Sequence, residues 1–250
     1  EKEYLKYNSK SEKIFKRKLS LKPHLLSTFF YNLSVNDTII DKVKKVIGEN
    51  VYIWSSAFFS KEPGEGKIVS YHQDNPYWQL STDKVVTAWI ALTNSDKKSG
   101  ALEIVPGSHK LGLIKKLDVD NARESYLNGE KTSDDNDLIS YKQNLDKFIG
   151  DNPPQLLEMI PGQYSLHHVN TVHGSGINRS SHRRTGYAVR YISSETKHLE
   201  ANEDRALHVC GKKNNYYIDE FPPKNDFDDN AIKQYKMSMS STGVFGNKIY

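Results

Sequence analysis

The chain has 250 residues, 36% of them apolar, 11% aromatic and 26% charged, which is enough for one large folded domain and excludes collagen-like, coiled-coil and disordered readings together. Its 35 Lys and Arg against 31 Asp and Glu leave a net charge of +4, too mild and too interspersed to single out a polyanionic partner. A single cysteine, Cys210, excludes an intramolecular disulfide framework and a cysteine-based zinc cluster.

No stretch reaches the ~20 apolar residues of a membrane span, and Glu1-Lys2-Glu3-Tyr4 opens no secretory signal pattern. The expectation is a soluble, cytoplasmic protein with neither a membrane nor a nucleic-acid partner. The basic run over residues 10–22 reads as a solvated face. Residues 25–47 carry helical spacing: Leu25, Leu26, Phe29 and Phe30, then Ile39, Ile40, Val43 and Val46, with Asn36-Asp37 as a start signal and Gly48 as a stop. From Val51 the text turns β-branched and aromatic, predicting strands at 51–54, 57–59, 67–71, 84–92, 101–105, 164–172 and 187–192, with a turn at Pro63-Gly64-Glu65-Gly66. Short strands broken by turns, with helices gathered towards the N-terminus, predict a mainly β fold with flanking helices: a double-stranded β-helix (jelly roll, cupin-like) forming a single domain over 1–250. Residues 115–154, rich in Asp, Asn, Ser and Lys, read as a lid or rim insertion that is partly helical around 138–148.

The chemistry concentrates in His72-Gln73-Asp74, after the strand at 67–71, and in His173, far along the chain. Two imidazoles and one carboxylate can occupy one face of an octahedral iron, leaving three positions for a chelating co-substrate and dioxygen. On an extended segment the outer residues of H-x-D point to the same side, and the distant histidine must then arrive on a neighbouring strand. Beyond Gly174-Ser175-Gly176 come Arg183 and Arg184. A buried guanidinium grips a carboxylate through two parallel hydrogen bonds, and strand alternation sends the two arginines to opposite faces without saying which one turns inward. The same three ligands would suit a zinc hydrolase, which has no need of the arginine. His109 reads as part of a structural turn, and His167 and His168 as hydrogen-bonded buried residues with a lesser claim to substrate contact.

Several motifs fall in a familiar order. They are Lys61-Glu62-Pro63-Gly64-Glu65-Gly66-Lys67, Tyr71-His72-Gln73-Asp74-Asn75-Pro76-Tyr77-Trp78, Thr87-Ala88-Trp89-Ile90-Ala91-Leu92, Gly100-Ala101-Leu102-Glu103-Ile104-Val105-Pro106-Gly107-Ser108-His109-Lys110 and His173-Gly174-Ser175-Gly176, closing at Arg184. From about residue 61 to 192 this text resembles the phytanoyl-CoA dioxygenase family of Fe(II)- and 2-oxoglutarate-dependent oxygenases. The resemblance implies that His72, Asp74 and His173 are catalytic ligands of iron(II), that Arg184 binds the distal carboxylate of 2-oxoglutarate with support from Ser175, and that Trp89 lines the co-substrate pocket. It implies O2 as second co-substrate and hydroxylation of an unactivated C–H bond, with 2-oxoglutarate decarboxylated to succinate and CO2. Family halogenases carry a small residue where Asp74 stands, so its presence argues for hydroxylation. Desaturation or cyclisation, and a non-catalytic metal- and 2-oxoglutarate-binding protein, are the alternatives. The text around His72 looks more like the branch acting on small polar metabolites (aminophosphonates, amino acids, natural-product intermediates) than like the acyl-CoA branch. Tyr71, Tyr77, Trp78 and Trp54 either fill the core or offer aromatic faces to a ligand's ammonium group.

Overall fold

The computed structural model describes residues 1–114, 145, 149, 151–199, 201 and 203–241. Among these, strands β1 (Val51–Lys61), β2 (Val69–His72), β3 (Val85–Ala91), β4 (Leu102–Ile104), β5 (Gln155–Leu157), β6 (Tyr164–His168), β7 (His173–Ser175), β8 (Arg184–Ser193), β9 (Asp204–Cys210) and β10 (Tyr217–Glu220) form two sheets. The larger has the order β10-β9-β1-β8-β3-β6 and the smaller β2-β7-β4-β5. Every pairing is antiparallel except β9 with β10.

Strand alternation gives the large sheet two apolar faces. Val86, Ala88 and Ile90 of β3, with Tyr187, Val189 and Tyr191 of β8, pack against helices α1 (Lys2–Phe15), α2 (Thr28–Ser34) and α3 (Asp37–Ile47). The intervening Trp89, Ala91 and Ala188 meet Leu102 and Ile104 of β4 and Leu157 of β5, so the small sheet closes over the inner face. The helical pattern at 25–47 resolves in part: Asn36 caps α3 through the Thr38 amide and Gly48 ends it at φ +93°, but Leu25 closes a 3-10 turn, Leu26 precedes α2, and Phe29 and Val46 are exposed instead of facing the core. None of the described helices is long and apolar enough to cross a membrane.

In β1 the two predicted strands at 51–54 and 57–59 are one. Ile53 pairs with Tyr191 and Ser55 with Arg190, leaving Trp54 as an extra residue, a bulge pinned by its Nε1 donating to Asp204 at 2.7 Å. The bulge resets the alternation: Tyr52 and Trp54 lie in the inner cluster with Val85 and Ile192, Phe58 joins the helix side, and Phe59 and Lys61 again turn inward.

Four expectations need correction or delimitation. The strand predicted at 164–172 is shorter: β6 of the large sheet ends at His168, a turn runs through 169–172, and the chain enters the small sheet only with β7 at His173. The expectation that H-x-D is extended fails at Asp74, whose φ −71° and ψ −35° open a one-turn helix, α4 (Asn75–Trp78). The basic run is not wholly solvated: Lys22 is buried and its Nζ lies 2.8 Å from Glu220 of β10, a partner that no local reading supplies. Of the expected insertion at 115–154, only residues 145, 149 and 151–154 are among those described.

Beside that ion pair lies His24, wholly buried, its Nδ1 2.6 Å from Ser56 Oγ and its Nε2 4.0 Å from Glu220. Burial, and then the neighbouring Lys22, hold its pKa well below the ordinary 6.5. Below pH 6.5 the unfolded chain therefore takes up a proton that the folded chain refuses. The resulting contribution is full above that pH and declines as pH falls, with a slope approaching about 1.4 kcal/mol per unit. Urea unfolding at pH 7 and pH 5 should show lower stability at pH 5, and His24→Gln should flatten that dependence.

Candidate functional site

The two sheets meet over a group of charged side chains. His72 closes β2 and His173 opens β7, and the two are direct cross-strand partners, which brings together residues a hundred apart in sequence. Their ring centroids lie 4.2 Å apart. Asp74 joins them although the segment is not extended, with Oδ1 3.4 Å from His72 Nε2 and 4.0 Å from His173 Nε2. What holds the turn is the middle residue of the motif. The Gln73 side chain is buried, donating to the carbonyls of Asn170 and Gly112 at 2.7 and 2.9 Å and accepting from the Ile114 amide at 2.9 Å. The amides of Asp74 and Asn75 both donate to Val169 O, which ties the turn to the end of β6.

The ring orientations follow from backbone contacts. His72 Nδ1 lies 2.9 Å from Ser70 O and His173 Nδ1 2.9 Å from Thr171 O. A carbonyl only accepts, so each Nδ1 carries a proton and each ring turns its Nε2 towards Asp74. Burial, and then His72, push the His173 imidazole down to about 3, keeping it neutral at physiological pH. Burial alone would raise Asp74, but the facing His173, His72 and His167 outweigh it and hold the carboxyl below the ordinary carboxylate range. Two lone pairs and an ionised carboxylate, with ligand atoms all within 4.8 Å of one another, could hold one metal ion. A buried carboxylate is costly by several kcal/mol without a counterion, so this donor set favours a cation.

The arginine expected to turn inward lies on β8. Arg184 is buried, at 3% exposure, whereas Arg183 reaches the surface and pairs with Glu62 at 2.5 Å, so Arg184 is the one that turns inward. Arg184 donates to Gly100 O at 2.5 Å, its Nε has no hydrogen-bond partner, and among the described residues no carboxylate faces it. Burial lowers its pKa to about 10, so the guanidinium stays charged. It lies 5.4 Å from the Trp89 ring. That indole in turn rests on Gly186, where a Cβ would overlap it. Gly100, at φ +71°, similarly lets its backbone approach Gly176. Ser175 is buried beside this group and its Oγ accepts from Lys61 Nζ at 2.7 Å.

Sequence reasoning missed four residues here. Gln73 stood in the motif as its variable member. Lys61, cross-strand partner of Arg184, is buried with Nζ also on the carbonyls of Ser175 and Gly176 at 3.0 and 2.6 Å. Arg190 and Thr87 face the same interior; counting in twos from Arg184 along β8 would have found the first. His167 comes close to the ligands, its ring centroid 4.6 Å from that of His173, and burial lowers it to about 4. His168 and His109 pair with each other, 5.8 Å between centroids, with His168 Nε2 3.9 Å from Asp83. Of the aromatic residues, Trp54 is core, Tyr71 donates to Glu103 at 2.5 Å, and Trp78 carries the Arg190 guanidinium 5.1 Å from its ring centroid. Tyr77 lies close to this group, 5.9 Å from the His72 ring.

Comparison with known proteins finds that the family model described as phytanoyl-CoA dioxygenase (PhyH) matches residues 4–186. A protein of Stutzerimonas stutzeri named "Probable alpha-ketoglutarate-dependent hypophosphite dioxygenase" is 29% identical over 193 residues, covering 77% of this chain and 62% of that one. The ectoine dioxygenase of Streptomyces avermitilis is 28% identical over 184 residues, 71% of this chain and 60% of its own length. The chain thus spans less than two thirds of either relative. Among solved structures, a non-heme monooxygenase, ThoJ in its apo form, superposes with a TM-score of 0.77 at 24% identity, covering 96% of this chain and 85% of that one, which bears on the fold.

Proposed function

Because the chain belongs to the phytanoyl-CoA dioxygenase family, we propose that it is an Fe(II)- and 2-oxoglutarate-dependent dioxygenase that hydroxylates an unactivated C–H bond of a small polar metabolite. His72, Asp74 and His173 would hold the iron. Arg184, with Ser175 and Trp89 beside it, would hold the distal carboxylate of 2-oxoglutarate. The observation carrying this reading is the pairing of two features in one interior: a His-Asp-His donor set with an ionised carboxylate and a buried guanidinium that no described carboxylate neutralises. Each needs a partner of the opposite charge, and a metal chelated by a dicarboxylate supplies both.

When bound, iron(II) activates dioxygen at the expense of 2-oxoglutarate, which leaves as succinate and CO2 while the substrate gains a hydroxyl. The chain's own residues arrange this. The carbonyls of Ser70 and Thr171 hold both Nδ1 protons, so His72 and His173 keep their Nε2 atoms free at the shared position. Gln73 keeps Asp74 turned inward. Trp89 supports the Arg184 fork from below and, with Ala91, Ala188 and Leu102, keeps water from that end of the interior. Small polar substrates are favoured by the relatives named for hypophosphite and ectoine.

The test is an anaerobic titration of the protein with iron(II) and 2-oxoglutarate, followed by a screen for substrate-stimulated succinate release in air. The expected results are a visible charge-transfer band that needs both additions, and succinate with at least one small polar compound. A band without succinate under any condition would identify a binding protein. Absence of the band would remove the assignment altogether.

A further inference from the structure

A second buried guanidinium faces the same interior, and nothing in the co-substrate site uses it. Arg190 lies on β8 six residues beyond Arg184, on the same face of the strand, and is 8% exposed. It donates no hydrogen bond to any described residue: Nε and Nη1 are both buried and unpartnered, and no described carboxylate pairs with it. Its surroundings are aromatic, 5.1 Å to the Trp78 ring and 5.7 Å to Phe59. Stacking of this kind orients the plane of the fork without occupying its N–H groups.

The strand register places further unpaired polar atoms beside it. Thr87 of β3 is the cross-strand partner of Arg190 on one side and of His167 of β6 on the other. Thr87 Oγ1 and His167 Nδ1 are, like the arginine, buried without a hydrogen-bond partner. This row of polar groups crosses three strands and ends beside the His72–His173 pair, since the His167 ring lies 4.6 Å from that of His173. Buried polar groups are nearly always satisfied, so three neighbouring exceptions on one face mark a place where something else binds.

Charge decides what that is. Under the function proposed above, on which this step rests, iron(II) is balanced by Asp74 and the proximal carboxylate of 2-oxoglutarate, and Arg184 by the distal one. Arg190 then has no directly paired counterion: Asp74 attracts it from a distance, but in this reading that carboxylate is committed to the metal, and an unmatched buried charge is costly. The aromatic ring that an ammonium ligand would need, Trp78, already carries this protein cation. We propose that Arg190, Thr87 and His167 form the substrate-recognition subsite, and that the substrate is a small oxyanion, a carboxylate or a phosphorus oxyanion, held by its charged end so that its carbon skeleton lies beside the metal. An arginine fork fits either group through paired N–H···O contacts.

The experiment measures binding to the anaerobic protein saturated with iron(II) and 2-oxoglutarate, using propylphosphonate, butyrate, butyramide and butylamine as calorimetric probes. Propylphosphonate and butyrate separate the two anion classes, and at least one should bind about tenfold or more tightly than the neutral amide and the amine. Arg190→Met should weaken the preferred anion by at least about 30-fold, the loss expected when one partner of a buried charge pair is truncated. Arg190→Lys should retain a preference for anions at intermediate affinity, because it keeps the charge and loses the fork. Equal binding of butyramide or butylamine by the wild-type protein would overturn the proposal, and so would full anion selectivity in Arg190→Met. The wild-type panel and Arg190→Lys decide the matter if Arg190→Met does not fold. The charge-transfer band separates the two levels of inference: its absence in the wild-type protein removes the enzyme assignment, while its presence with no anion preference removes only this subsite.

Discussion

His72→Ala is expected to lower iron(II) affinity by more than about 100-fold and to reduce succinate formation to background. Even outer partners of metal ligands change affinity by about 10–100-fold, and His72 is one of three donors at this position. Its loss also strips a neighbour from Asp74, whose carboxylate is held ionised partly by the hydrogen bond and charge contact with His72. The measurements are metal content after dialysis and the anaerobic charge-transfer titration. The fold should persist, because His72 sits at the end of β2 and its backbone pairing with β7 does not depend on its side chain. A variant that is folded, retains iron and turns over would show that the metal lies elsewhere.

Arg184→Met should raise the dissociation constant for 2-oxoglutarate by at least about 30-fold while leaving iron binding nearly intact, since truncating one side of a buried charged contact costs about 2–5 kcal/mol. Without ligands the variant should be at least as stable to heat as the parent. Arg184 is buried, its Nε is unsatisfied and no described carboxylate faces it, so an apolar side chain of similar length removes a desolvation penalty. Weaker co-substrate binding together with unreduced stability is the signature of a binding residue. A large loss of stability with unchanged 2-oxoglutarate affinity would mark Arg184 as structural instead.

How much of this was legible beforehand depends on whether the cause is local. The α3 cap at Asn36, its stop at Gly48 and the apolar strand β3 are local signals, and they read correctly. His72, Asp74, His173 and Arg184 were singled out because their order along the chain is itself a pattern, and the first three converge as a group that could hold a metal ion. The reason given for the His72 and Asp74 pair was wrong, since Asp74 lies in a helical turn rather than an extended strand. The turn depends on Gln73 reaching Asn170 and Gly112, contacts that no reading of three adjacent residues contains. Lys22 failed in the same way, its partner Glu220 lying at the other end of the chain. α1 and a fifth helix, α5 (Asp229–Ser241), were missed because their buried sides mix tyrosines with Asn8, Ser11 and Ser238 instead of presenting a clean apolar stripe. The end of β6 at His168 and the change of sheet before His173 were invisible because Val169, Thr171 and Val172 are β-prone and the sheet change leaves no mark in composition.

The bulge at Trp54 has a consequence for how this chain can change over evolution. One surplus residue sets the parity of everything downstream in β1, so that Phe59 and Lys61 look into the interior and Phe58 looks out at the helices. Exchanging one side chain there alters a single position, but adding one codon just after 54 would swap the whole row, putting Ser60 where Lys61 stands and Phe58 where Phe59 does. Tolerance of that segment is therefore governed by reading frame within the strand more than by residue type, and related chains should diverge in its letters long before they diverge in its length.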